Sequence, residues 1–187
     1  PQTEPTVEVP ESKPDEPPED LVVLRRNLNE VMKGFGLEDV GLSIDAALKP
    51  GLVTREGEVI PIDDPVAEGE ARKRLKGAKG YYLPPANRIF LALDRIDPKG
   101  TETTLEARQA AMTDILNHEI VHAARRMDLW TDKEWRSLEN LARKKARKGN
   151  VTYQQDAQEL YGATPGYTPV RVMEEAVANL IRDGRRD

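Results

Sequence analysis

The apolar positions of the chain change their period twice. In "LVVLRRNLNEVMKGFG", Leu21, Leu24, Leu28, Val31 and Met32 recur at three- and four-residue steps. That spacing predicts an amphipathic helix capped by Asp20 and stopped by Gly34 and Gly36. Beyond it the period shortens. "VGLSIDAAL" predicts a strand, and "GLVTREGEVIPI" a hairpin turning near Glu56 and Gly57. In "GYYLPPANRIFLALD" the run from Ile89 to Leu93 predicts a strand whose proline-rich entry suits the edge or end of a sheet. Residues 64–78 are polar and carry no clear period. After Gly100 the helical period returns. It predicts a long helix from Leu105 to Met127, capped by Thr103 or Thr104 with Glu106 three residues after Thr103. "TDKEWRSLENLARKKARKG" predicts a helix from a Thr/Asp cap to Gly149, "TYQQDAQELYG" a short one, and "TPVRVMEEAVANLIRDG" a last one stopped by Gly184. A helix, then strands, then a block of helices, with no internal repeat, predicts an α+β fold.

Residues 1–19 stand outside that scheme. Proline and acid dominate them, and too little apolar surface is present to offset the entropy of ordering. They predict a semi-rigid spacer tethering a domain of residues 20–187 to other domains of a larger polypeptide. At 187 residues the chain can bury a sizeable core, and its net charge of −5 argues against a general nucleic-acid binder. With no cysteine, disulfides, thiolate metal sites and cysteine nucleophiles are excluded. No run of 18 apolar residues spans a membrane, and the acidic start is the opposite of a signal peptide, so a cytoplasmic location is expected.

Both histidines of the chain fall in "LNHEIVHAARR", four residues apart and with Glu119 directly after the first. On a helix His118 and His122 stack on one face, where two neutral imidazoles can hold one zinc ion. Glu119, one residue round, can take a proton from water and pass it to a leaving amine. Its neighbours Ile115, Leu116, Ile120, Val121 and Ala123 are apolar, so a polar His-Glu-His patch there needs a reason. This H-E-x-x-H arrangement is the zinc-peptidase signature.

A catalytic zinc site takes three protein ligands, and no third histidine exists. The third must be a carboxylate. Asp128 lies six residues after His122, but Arg125 stands where a glycine would have to turn the chain. Glu139 lies on the next helix among lysines. "VMEEAVANLI" is apolar and small apart from Glu174 and Glu175, and adjacent carboxylates on a buried helix need compensation. If Glu175 faces the metal, Asn179 is one turn on and can hydrogen-bond a histidine ligand. Glu174 remains the alternative in that register.

With these residues the chain resembles the gluzincins, metallopeptidases that carry H-E-x-x-H on one helix and a ligating glutamate on a later one. "EEAVAN" matches, with Glu175 before Ala176 and Asn179 in the supporting place. The chain is similar also to small metallopeptidase-like domains within large multidomain proteins of phages and other mobile elements, through "GYY", "IFLALD" and "HEIVHAARRMDLWTDKEW". The resemblance covers roughly Val40 to Asp183. The gap of 53 residues from His122 to Glu175 departs from it. It implies a zincin-like fold, a small mixed sheet with an edge strand packed on the HExxH helix and a C-terminal glutamate helix. It implies a zinc-dependent endopeptidase with His118, His122 and Glu175 on the metal and Glu119 as general base. A protein or peptide substrate would pair with the strand at Ile89 to Leu93. The alternative is a non-catalytic zinc-binding or interaction module of a larger phage-type protein.

Other residues complete the expectations. Arg143, Lys144, Lys145, Arg147 and Lys148 form a basic run, read first as a solvated helix end rather than a nucleic-acid contact. Tyr153, Tyr161 and Tyr167 precede the last helix, each a packing residue or a possible oxyanion donor. Trp130 and Trp135 flank the Thr131–Asp132 cap and staple that corner to the core. Arg125 and Arg126 could bind a substrate carboxylate or pair with surface acids.

Overall fold

A computed structural model describes residues 19–45, 52–53, 59–60, 78–96 and 104–185. The spacer ahead of Glu19, the turn at Glu56 and Gly57, all but the end of the 64–78 stretch, and Thr103 lie outside the described residues. Helix α1 (Glu19–Lys33) buries Leu24, Leu28 and Met32. Asp20 lies inside its first turn instead of capping it, where it and Glu19 face the positive end of the helix dipole. Gly36, at φ +72°, closes the helix: its N–H bonds the Lys33 carbonyl while the Leu37 N–H bonds that of Met32.

Strands β1 (Gly41–Asp45), β4 (Gly80–Leu83) and β5 (Arg88–Ala92) form one sheet in the order β1-β5-β4. Strand β5 runs parallel to β1 and antiparallel to β4. The expected edge strand at Ile89–Leu93 is therefore the central one. Ile89, Phe90, Leu91 and Ala92 are all buried, the continuous apolar run of a strand covered on both faces. The prolines are no obstacle, because Pro84 and Pro85 occupy a 3₁₀ turn ahead of the strand and remove no ladder bond. Leu93 already belongs to α2 (Leu93–Ile96). Strands β2 (Leu52–Val53) and β3 (Val59–Ile60) pair antiparallel, as a hairpin requires.

The long helix α3 (Leu105–Arg126) is capped by Thr104, whose hydroxyl accepts from the Ala107 N–H at 3.1 Å, so Thr103 is not its cap. Helix α4 (Asp132–Lys144) opens on a Thr131–Glu134 capping box, with Trp130 and Trp135 in contact across it, the expected staple. It ends five residues before Gly149. That glycine, at φ +58°, instead turns a small hairpin between β6 (Ala146–Lys148) and β7 (Val151–Thr152). Helices α5 (Tyr153–Tyr161) and α6 (Pro169–Gly184) follow.

Among the described residues two large apolar clusters result, beside a small one at Phe90 and Ala92. One joins α1, β1, β5 and one side of α3 through Leu28, Ile89, Leu91, Met112, Leu116 and Ile120. The other joins α4, α5 and α6 to Val121 through Trp135, Ala157, Ala176 and Val177. Helix α3 lies between them, which explains apolar residues on most of its circumference. Gly80 lets β4 close on this helix: a Cβ there would meet Ile115 at 2.9 Å and Leu91 at 3.0 Å. Among the described residues no helix is long and apolar enough to cross a membrane. Among the described residues the architecture is α+β, with five helices of 9 residues or more and small sheets.

Candidate metal centre

Helices α3 and α6 pack antiparallel: Asp114 meets Arg182, His118 meets Glu175 and His122 meets Glu174. This contact brings the remote glutamates to the histidine pair. His118 Nε2 lies 3.1 Å from Glu175 Oε2, His122 Nε2 lies 3.3 Å from His118 Nε2, and His122 Nε2 lies 3.8 Å from Glu175 Oε1. Three ligands at about 2.0–2.1 Å from a tetrahedral ion stand about 3.3 Å apart, so the triangle has the right size. Two imidazole Nε2 atoms facing each other at 3.3 Å leave at most one proton for two lone pairs. They can share that proton in an N–H···N hydrogen bond, or both lone pairs can meet one cation. His118, His122 and Glu175 thus form a group compatible with a metal ion.

Glu174, the alternative ligand, has another place. Its Oε1 lies 2.6 Å from His122 Nδ1, on the far side of the ring from the cluster. The carboxylate holds the proton on Nδ1 and turns the Nε2 lone pair inward. Burial pulls the His122 imidazole down, but the Glu174 hydrogen bond and the charges of Glu119, Glu175 and Glu174 outweigh it and push it up to about 9. A metal ion must therefore displace a proton. Glu175 is half-buried, which opposes its ionisation. The His118 hydrogen bond and the charges of both histidines overcome this and hold its carboxyl below the usual range.

Glu119 is buried beside the cluster. Burial pushes its carboxyl up, against the pull of His118, His122 and the Tyr82 backbone N–H. That N–H belongs to β4, which places the edge strand of the sheet, not β5, against Glu119. On the other side the Tyr167 hydroxyl donates to Glu175 Oε1 at 3.4 Å. Burial, then the charge of Glu175, push this phenol up to about 12, so it keeps its proton at neutral pH. Tyr161 stacks on Tyr167 with ring centres 5.2 Å apart.

The remaining expectations sort by position. Asp128 is exposed at φ +53°, in the turn that ends α3, where its N–H bonds Arg125 and that of Leu129 bonds Ala124. Glu139 accepts from the Trp135 indole at 3.0 Å and pairs with Arg143. Neither joins the cluster. Asn179 is buried on α6, but the histidine partner expected of it is Glu174 on His122, and His118 Nδ1 has no partner among the described residues. Tyr153 packs away from the cluster under Arg147, with its hydroxyl on Asp183. Arg125 stacks on Trp135 at 4.7 Å. The basic run is split, because Arg147 turns inward to Asp183 and Asp156. Glu174 as a histidine partner and the Tyr82 N–H are the two contributions not read from the residues. An adjacent acid pair was the signal for the first, and a backbone group leaves none.

No protein-family model matches the chain, nor does any curated protein or solved structure.

Proposed function

We propose that the chain is a zinc-dependent endopeptidase of gluzincin type. The observation that carries this reading is the triangle of His118 Nε2, His122 Nε2 and a Glu175 carboxylate oxygen, with Glu119 buried beside it. Two imidazoles and one carboxylate are a donor set suited to zinc, with a position left for water or substrate. The chemistry such an ion supplies is Lewis acidity toward water and a peptide carbonyl.

The chain's own residues do the rest. Glu119 takes the proton of the attacking water as its oxygen adds to the carbonyl carbon. It then delivers that proton to the amide nitrogen as the C–N bond breaks. A carboxyl raised by burial is better matched to this work at neutral pH than an exposed one. The Tyr167 hydroxyl, still protonated, can donate to the oxyanion that develops on the carbonyl oxygen. Glu174 keeps His122 in one tautomer. An extended peptide lies along the side of β4 that pairs with no strand among the described residues, antiparallel or parallel to Gly80–Leu83, where backbone pairing brings a scissile bond past Glu119.

The test is one zinc titration and one peptide-cleavage assay. The wild type is expected to bind about one zinc ion per chain. Glu119→Gln is expected to keep the zinc and lose about 10²–10⁴-fold in cleavage rate, the scale of a lost general base. Zinc binding with no cleavage by the wild type would favour the non-catalytic module. Equal zinc in wild type and a His118→Ala/His122→Ala double variant would end the reading.

A further inference from the structure

We infer that the site selects peptides carrying a carboxylate within two residues of the scissile bond, held by Arg126 and Arg171. This rests on the peptidase reading and names the substrate class for it. Arg126 lies four residues after His122 on α3, and Arg171 four residues before Glu175 on α6. Each is therefore about one helical turn, roughly 6 Å along the axis, from a ligand on the same face of its helix. Because α3 and α6 run antiparallel, those turns fall at the same end of the pair. Both side chains are exposed.

Neither arginine has a carboxylate partner among the described residues. Arg171 lies over the Tyr167 ring at 5.3 Å and donates one long hydrogen bond, 3.5 Å, to the Gly166 carbonyl. The ring that orients it is the one whose hydroxyl reaches Glu175. Burial raises the Tyr82 phenol and the Arg126 charge opposes it, so Arg126 lies within electrostatic reach of β4. The other arginines of this region are engaged: Arg125 on Trp135, Arg147 on Asp183 and Asp156, and Arg182 on Asp183. A guanidinium is an always-charged fork of donors matched to a carboxylate. Two of them with no acid, one from each ligand-bearing helix, mark where a substrate acid docks. An extended peptide rises about 3.3 Å per residue, so the reach corresponds to one or two residues from the reacting bond. The chain's net charge of −5 repels an acidic peptide at long range, so any acid preference must arise locally.

The carboxylate can be an Asp or Glu side chain or a peptide C-terminus, and the experiment separates them. Zinc-loaded full chain is given quenched fluorescent hexapeptides in pairs, Asp or Glu against Asn or Gln at each position, and free against amidated C-terminus. The expected result is a kcat/KM at least about tenfold higher for the acidic member at one position, the scale of a hydrogen bond to a charged group. Arg126→Gln and Arg171→Gln should collapse that ratio, while Arg125→Gln, which removes the same charge nearby, should preserve it. A preference confined to the free C-terminus assigns the site to a terminal carboxylate. Equal rates within every pair, or equal collapse in Arg125→Gln, would overturn the inference. Anisotropy of the same peptides on zinc-loaded Glu119→Gln gives a readout without turnover. Acid-dependent binding lost in the two arginine variants, with no cleavage by wild type, would keep the carboxylate site and discard the peptidase. No difference in binding within the pairs would discard the carboxylate site itself.

Discussion

At the Asp114–Arg182 end of the α3–α6 pair each charge has its opposite at hand. Arg147 bridges Asp156 and, at 3.0 Å, Asp183; Arg182 pairs with Asp183 at 2.8 Å and Asp114 at 3.9 Å. One or two turns along the same seam, Glu119, Glu174 and Glu175 surround two histidines, and two imidazole nitrogens face each other. The first network joins four elements with the protein's own charges. The second is left with more acceptors than protons, a state that a divalent cation stabilises. Both are half-buried and built from the same helices. The difference lies in the counter-charge: fixed guanidiniums in the first, and in the second histidines that can hold a proton or, in its place, a cation.

The largest test removes the cation's grip. Excess zinc at about a thousand times its dissociation constant should stabilise the wild type by about 4 kcal/mol. Thermal melts with and without zinc are expected to show that gain in the wild type and to lose it in Glu175→Gln. The Arg147 network should be indifferent to the same zinc. Glu174→Gln should sharpen the contrast within the cluster. The amide still accepts from His122 but carries no charge, so zinc affinity should fall about 10–100-fold, by competition titration, without abolishing binding. If Glu174→Gln abolishes binding and Glu175→Gln spares it, the ligand is the other glutamate.

Arg147→Ala tests the opposite end. It should cost about 2 kcal/mol in denaturant unfolding, whether or not zinc is present, because it strands the half-buried Asp156 and leaves Asp183 to Arg182 alone. The smallest effect is a pH dependence. Burial opposes ionisation of Asp183, but Arg182 and Arg147 outweigh it and hold its carboxyl below the ordinary value near 3.8. A carboxyl lower in the folded state than in the unfolded one adds stability above the unfolded value, and loses it as pH falls through the folded value. Melting of the zinc-free wild type should therefore decline more steeply below about pH 4 than that of Asp183→Asn.

The residues of the cluster differ in how far the sequence alone reaches. His118, Glu119 and His122 are fixed by helical periodicity, a local rule that needs only the knowledge that α3 is a helix. Rules of the same short range give the Thr131 cap, the short helix at Tyr153, and the α+β order of elements. Choosing Glu175 over Glu174, Asp128 or Glu139 required the antiparallel contact of α3 with α6, which no short spacing encodes. Asp128 was lost to the turn that ends α3, and Glu139 to a tryptophan on its own helix. The edge strand was misread for a related reason. An apolar run after prolines is compatible with either place, and only the parallel pairing of β5 with β1, 47 residues earlier in register, makes it central and leaves β4 beside Glu119. Gly149 shows the limit at short range, since a glycine at positive φ ends a helix or turns a hairpin equally well. Periodicity and residue chemistry act over a few residues and are written in the chain. Which remote carboxylate, strand edge or arginine meets the histidines is set by packing between elements, where the free energy depends on the whole fold.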